Sequence, residues 1–211
     1  MDKSIQIHTF TRITQVSRET ITSLKKYENL LIKANKNLNL IGNSTINSIW
    51  ERHFLDSAQV IDFIDKNDKS MLDIGSGAGF PGLVIAILAK DRKIPLKIKL
   101  LEKSPKKIKF LKEIIKKLSL NVQTLNQNVL TEEFRFEEDV FVARAFKPLP
   151  IILELIHKKA VNLKKILIFM GKTGKSELLQ ASKVWDIQYK QRMSITSSDS
   201  IIIEVNKLRK K

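Results

Sequence analysis

The 211-residue chain contains no cysteine. That absence excludes a disulfide framework, a thiolate-ligated zinc or iron–sulfur centre and a cysteine nucleophile, and it suits a cytoplasmic protein. Histidine is nearly as scarce. His8, His53 and His157 are the only three, none at ligand spacing from another, so no metal is expected. Long apolar runs are missing as well. The longest, Phe80 to Ala89, stops at Lys90, short of the roughly 18 residues a spanning helix needs, and Met1 to Val16 holds no apolar signal stretch. A soluble protein without a membrane partner is expected. No Gly/Ser-rich or Pro-rich linker divides the chain, and at about 150 residues per domain the length suits a single compact domain.

Positive charge is abundant. The 38 Lys+Arg outnumber 22 Asp+Glu for a net charge of +16, which makes a polyanion the leading class of partner, since clustered cations gain affinity by releasing condensed counterions. Lysine supplies 30 of those cations and arginine only 8, a skew that codon bias alone can produce, so distribution is more informative than the total. Two basic zones stand out. Nine lysines between Lys97 and Lys117 face only Glu102 and Glu113, and six between Leu155 and Ser176 meet no acid. An anionic surface such as RNA fits both.

Helical spacing places Leu24, Tyr27, Leu31 and Ala34 on one buried stripe after Ser17, a suitable N-cap. A turn-rich stretch, Asn35 to Asn43, precedes a second helical pattern from about Ser44 to Phe63. The pattern then changes. Ser70–Ile74 reads as a buried strand, Gly75–Gly79 as a loop, and Pro81 as the first turn of a helix through Ala89. Strands at Ile98–Leu101, Val122–Leu125, Val140–Ala143 and Ile166–Phe169 alternate with helices from Pro105 to Leu118 and from Leu149 to Val161. In the first of these helices, Ile108, Leu111, Ile115 and Leu118 form the apolar face. Strand–helix alternation predicts an α/β fold with a mostly parallel, doubly wound sheet. Ile187–Met193 and Ile201–Val205, joined by Ser/Thr/Asp turn residues, should close it as an antiparallel pair. We divide the chain into an N-terminal helical extension, residues 1–66, packed on a core of residues 67–211.

The sharpest local signal is Asp73-Ile74-Gly75-Ser76-Gly77-Ala78-Gly79, a strand running into a glycine loop. A dinucleotide fingerprint would need glycine at position 80, which is Phe80, whereas Asp-x-Gly-x-Gly-x-Gly matches the first motif of class I, Rossmann-like methyltransferases. S-adenosylmethionine is therefore the expected cofactor, with Gly75, Gly77 and Gly79 beneath it. Glu102, 23 residues beyond Gly79 at the end of the next strand, is placed to accept both ribose hydroxyl protons. The plain alternatives are a glycine-rich connection without a ligand and an exposed acid among lysines. Gly171-Lys172-Thr173-Gly174-Lys175-Ser176 ends like a P-loop, but the earlier glycine falls on Phe169, so it reads as a basic turn. His53 and Asp56, three apart on one helix face, read as a surface pair.

Several separated motifs, in order, resemble the RsmG (GidB) family of bacterial enzymes. Asn37-Leu38-Asn39-Leu40-Ile41 is similar to its N-L-T-x-I segment, Arg52-His53-Phe54-Leu55-Asp56-Ser57 to R-H-x-x-D-S, Lys106-Lys107-Ile108-Lys109-Phe110-Leu111 to K-R-x-x-F-L, and Arg144-Ala145-Phe146 to R-A-F. The glycine loop continuing through Phe80-Pro81-Gly82 is the most specific piece. The resemblance implies methylation of N7 of guanine 527 in 16S ribosomal RNA, as naked RNA or in the small subunit, by a monomer. It adds Phe80, Val129, Leu130 and Arg144 to the cofactor site, gives Arg144 a positioning role in catalysis, and assigns Asn39, Arg52, His53, Asp56, Lys106, Lys107 and Phe146 to the substrate. Phe146 stacks on a flipped base or packs in the core. Two departures stand out: Glu102 replaces the usual Asp, and Met170 the usual Lys. The alternatives are a methyltransferase for another RNA, one for a small molecule, which leaves the basic zones unexplained, and a non-catalytic RNA-binding assembly protein, which needs no cofactor.

Overall fold

The computed structural model describes residues 2–131 and 133–211. Two helices open the chain: α1 (Lys3–Thr14), capped by the Asp2 carboxylate, and α2 (Arg18–Leu38), capped by Ser17. The stripe on α2 is buried at Leu24, Tyr27 and Leu31 and half-buried at Ala34. From residue 43 to 63 the backbone stays helical but changes hydrogen-bond register repeatedly. A 3₁₀ turn (Asn43–Ser48) passes into a π-helical turn (Trp50–Leu55), a single α-turn, α3 (Asp56–Ala58), and a second 3₁₀ turn (Gln59–Phe63). The regular helix expected there is thus an irregular one. Its aromatic side chains explain how it is held: Trp50 packs edge-on against Phe10 and Phe54, at centroid distances of 5.4 and 5.1 Å.

Seven strands follow: β1 (Ser70–Ile74), β2 (Lys97–Leu101), β3 (Val122–Leu125), β4 (Val140–Arg144), β5 (Lys165–Met170), β6 (Trp185–Met193) and β7 (Ile201–Lys210). They form one sheet in the order β3-β2-β1-β4-β5-β7-β6. β7 alone runs against the others, inserted between β5 and β6 as an antiparallel neighbour of both. The crossovers are α4 (Gly82–Asp91), α5 (Pro105–Lys117), α6 (Leu149–Lys159) and α7 (Gly174–Val184). The sequence reading has no helix at α1 or α7. In α1 the inward positions are Gln6, Phe10 and Thr14, two of them polar, and α7 opens inside the Gly/Lys stretch read as a turn.

One apolar cluster joins Phe10, Leu24, Tyr27, Trp50 and Phe54 to α4, the inner face of α5 and one side of the sheet; a second lies on the other side beneath α6 and α7. From Gly82 to Ala89, α4 is buried on all sides, as expected of a helix between a sheet and a further helical layer. The order of strands reverses between β1 and β4, both running outward from the same edge, which is where doubly wound sheets open a crevice for ligands. Among the described residues no helix is long and apolar enough to cross a membrane.

Candidate functional site

β1 delivers the glycine loop to that crevice. Gly75, Gly77 and Gly79 have φ of +75°, +57° and +98°, a region that L side chains enter at a cost. At Gly75 space is limiting too: a Cβ there would lie 2.3 Å from Cδ2 of Phe146. Gly82 is needed for a similar reason, because a Cβ would meet the Asp73 carboxylate at 2.6 Å and Leu100 at 2.4 Å. With glycine in place, the Gly82 N–H donates to Asp73 Oδ2 at 2.9 Å. Asp73 is fully buried and its Oδ1 has no partner among the described residues. Burial lifts its carboxyl to about 7, against the opposing pull of the Gly82 N–H.

Glu102 closes β2 and ties the loop down. Its Oε2 accepts from the Gly77 N–H at 3.1 Å and its Oε1 from the Ser104 N–H at 2.8 Å. Beside it opens a cavity of about 270 Å³ lined by Gly75, Leu101, Glu102, Val129, Leu130 and Phe146, with Gln127 and Asn128 on one wall and Lys103, Lys107 and Lys147 around it. This donor set fits S-adenosylmethionine: a carboxylate for ribose hydroxyls, apolar side chains for adenine faces, amide groups for its edge, and a backbone without side chains. Gly75, Glu102, Val129, Leu130, Lys107 and Phe146 from the sequence reading thus share one cavity. Gly77 serves through its N–H, and Gly79 packs against Leu83 and the Tyr27 hydroxyl.

Phe80 and Arg144 lie elsewhere. Phe80 is buried outside that cavity, its ring stacked 5.6 Å from Tyr27 and 5.0 Å from His53. Arg144, at the end of β4, reaches the irregular helix: Nε pairs with Asp56 Oδ2 at 3.1 Å, Nη1 donates to Ser57 Oγ at 3.2 Å, and Nη2 donates to the Arg52 carbonyl at 2.6 Å. Nη2 also lies 3.4 Å from His53 Nδ1. His53 and Asp56 are therefore not a surface pair; each faces Arg144. Burial, then the positive charges of Arg144 and Arg52, hold the imidazole down to about 3, so it is neutral. It contacts Thr45 Oγ1 through Nε2 at 2.9 Å.

Arg52, Asp56 and Arg144 line a second cavity of about 240 Å³, with Phe169 and Met170 from β5 and the turn between β6 and β7. Lys106 is exposed on α5, and Asn39 ends α2 in a left-handed conformation, φ +45°, sharing no cavity with the others. The two basic zones differ in how many of their lysines meet acids: in the first, Lys99 pairs with Glu138 and Lys117 with Glu113. Lys158, Lys164, Lys165 and Lys172 from the second meet Glu154, Asp139, Asp65 with Asp68, and Asp199, all remote from them in sequence or a helical turn away. Sequence reasoning missed Leu101, Lys103, Gln127, Asn128 and Lys147, although a polar Asn-Gln-Asn run directly after an apolar strand was a usable signal. It also missed Tyr27, whose hydroxyl donates to the Ala78 carbonyl in the glycine loop at 2.5 Å. Among the described residues no group of three or more His, Asp and Glu is placed to hold a metal ion.

Comparison with known proteins extends the likeness to most of the chain. The solved structure of M. capricolum TrmK with S-adenosyl-homocysteine superposes with a TM-score of 0.54 at 18% identity, over 72% of this chain and 67% of that one, and so shares the fold. A Pelagibacter ubique protein named ribosomal RNA small subunit methyltransferase G is 39% identical over 198 residues, 93% of this chain and 92% of its own length. One of the same name from Rickettsia akari is 36% identical over 93% of this chain and 98% of its own. The family model described as rRNA small subunit methyltransferase G matches residues 20–203, and the chain belongs to that family.

Proposed function

We propose that this S-adenosylmethionine-dependent methyltransferase modifies N7 of guanine 527 in 16S ribosomal RNA, as a monomer in the cytoplasm, without a metal. One observation supports this above the rest: the cofactor cavity adjoins an arginine-lined polar cavity and the lysine-rich face of α5, so that a cofactor, a base and a phosphate backbone each have a surface of matching chemistry. Bound S-adenosylmethionine supplies an activated methyl group. Guanine N7 presents an in-plane lone pair and carries no proton, so it can accept that methyl group without first being deprotonated.

No base is needed, so the protein's work is alignment, which contributes roughly 7–11 kcal/mol in favourable cases. Glu102 and the loop glycines hold the donor; Val129, Leu130 and Phe146 pack on it; Lys106 and Lys107 hold RNA phosphates. Arg144 fixes Asp56, His53 and the Arg52 backbone beside the acceptor and is a positioning residue. The neutral state of His53 agrees with that arrangement, since it accepts from Arg144 and competes for no proton of the reaction.

The test is methyl-labelled S-adenosylmethionine with small ribosomal subunits that lack the modification, followed by digestion and nucleoside identification. Label in 7-methylguanosine at one position is the expected result. No label in RNA despite cofactor binding would turn the assignment towards a small acceptor.

A further inference from the structure

Asp56 Oδ1 accepts from the Thr196 hydroxyl at 2.7 Å and lies 3.3 Å from that of Ser194, while Gln59 Oε1 accepts from the Ile195 N–H at 3.2 Å. Arg192, at the end of β6, donates to the Gln59 carbonyl. The β6–β7 turn is therefore fastened by side chains to the irregular helix, and this sets one wall of the 240 Å³ cavity. Opposite wall and floor come from Arg144, Phe169 and Met170. Ala145 is the one residue that lines both this cavity and the cofactor cavity. It holds φ at +51°, a conformation uncommon outside glycine and met at functional sites.

The chemistry of the walls narrows the occupant. Arg144 spends its guanidinium on Asp56, Ser57 and Arg52, but the Arg52 guanidinium has no partner among the described residues and lines the same space. Ser197 and Ser200 add hydroxyls that donate or accept. The ring of Phe169 and the side chains of Met170 and Ile201 are apolar surfaces for a ring face. The neighbouring cavity over Pro148, Leu149 and Ile152 offers one carboxylate, Glu177, already engaged by the Leu149 N–H and Thr173 hydroxyl.

We infer that the cavity between Arg52, Arg144 and the β6–β7 turn receives the acceptor guanine, flipped out of its strand, with Arg52 donating to O6 and N7 turned across Ala145 towards the methyl donor. This rests on the methyl-transfer reading above. It makes the turn at residues 194–200, distant in sequence from every motif of the cofactor site, a determinant of base specificity.

The experiment compares wild type with Ser200→Trp, which fills the cavity from the turn, and Arg52→Ala, which removes the free guanidinium. Each is assayed for methyl transfer to unmodified small subunits, and its affinity for S-adenosylhomocysteine is measured by calorimetry. We expect transfer to fall about 100-fold or more in Ser200→Trp and about 10- to 100-fold in Arg52→Ala, with S-adenosylhomocysteine affinity within about twofold of wild type in both, because neither side chain lines the cofactor cavity. Wild-type transfer by Ser200→Trp overturns the cavity assignment and leaves the methyl-transfer reading standing. A wild type that labels no RNA overturns both. Should Ser200→Trp fail to fold, Arg52→Ala decides alone, since its exposed side chain has no partner to lose; an unchanged rate there rejects the assignment.

Discussion

At the scale of single residues, Arg144 ties the end of β4 to the irregular helix. The motif around it points to cofactor or guanine, yet its bonds run to Asp56, Ser57 and the Arg52 carbonyl. Truncation therefore leaves a largely buried carboxylate without its cation. Arg144→Ala should lose transfer and also about 2–4 kcal/mol of stability in urea unfolding, and Arg144→Lys should regain charge without the three-way fork. Asp73 is the second informative residue. Its folded carboxyl titrates near 7 because of burial, against an ordinary value of 3.8. A folded state that binds this proton more tightly than the unfolded chain loses stability as pH rises from about 4 through 7, and is unaffected by this group above that window. Unfolding free energies of wild type and Asp73→Asn across pH 4–8 should converge on that pattern: the advantage of wild type shrinks with rising pH, and a difference that stays constant rejects it.

At the scale of elements, a side chain of α2 is bonded directly to the glycine loop. The Tyr27 hydroxyl is fully buried and donates to the Ala78 carbonyl. Tyr27→Phe leaves that carbonyl unpaired, so we expect about 1–2 kcal/mol of destabilisation and a several-fold weaker S-adenosylhomocysteine affinity by calorimetry; unchanged affinity would confine Tyr27 to packing. Tyr27 also shows what a sequence conveys. Its spacing with Leu24 and Leu31 placed it on a buried stripe, but hydropathy carries no trace of a hydroxyl's partner 51 residues away. The parallel strands were legible because they are short apolar runs bounded by turn residues, and the loop from Gly75 to Gly79 because backbone geometry dictates residue type there. Residues 43–63 kept their helical pattern, but α, π and 3₁₀ turns differ in hydrogen-bond register, which periodicity does not encode over so few residues. The last half of β7 was hidden by its polar Asn206 and Lys207, paired only with the edge strand β6. The turn at 194–200 has serines and threonine of no diagnostic spacing; tertiary hydrogen bonds to Asp56 and Gln59 place it on the wall of the 240 Å³ cavity.

At the scale of the molecule, α5 presents a dense run of positive charge to solvent. Its inner face buries Ile108, Phe110, Leu111 and Ile114, leaving Lys106, Lys109, Lys112 and Lys116 outward without acidic partners among the described residues. If these lysines hold phosphates, the logarithm of RNA affinity falls linearly with the logarithm of salt, and each lysine replaced by glutamine should reduce the slope by about 0.7–0.9. Filter binding of 16S RNA across a salt series measures that slope; a Lys106→Gln/Lys109→Gln/Lys112→Gln variant with the wild-type slope would place the RNA elsewhere. The division at residue 66 is a change in element type, and we propose that it does not separate two folding units. Phe10, Leu24, Tyr27, Trp50 and Phe54 belong to the same apolar cluster as Leu83, Val84 and Leu88 of α4. A fragment of residues 67–211 would present the outer side of α4, buried in the whole chain, to water. Such a fragment should bind a hydrophobic dye and lack a cooperative urea transition, while co-expression with residues 1–66 restores both solubility and S-adenosylhomocysteine binding; a fragment that unfolds cooperatively by itself would establish an independent core.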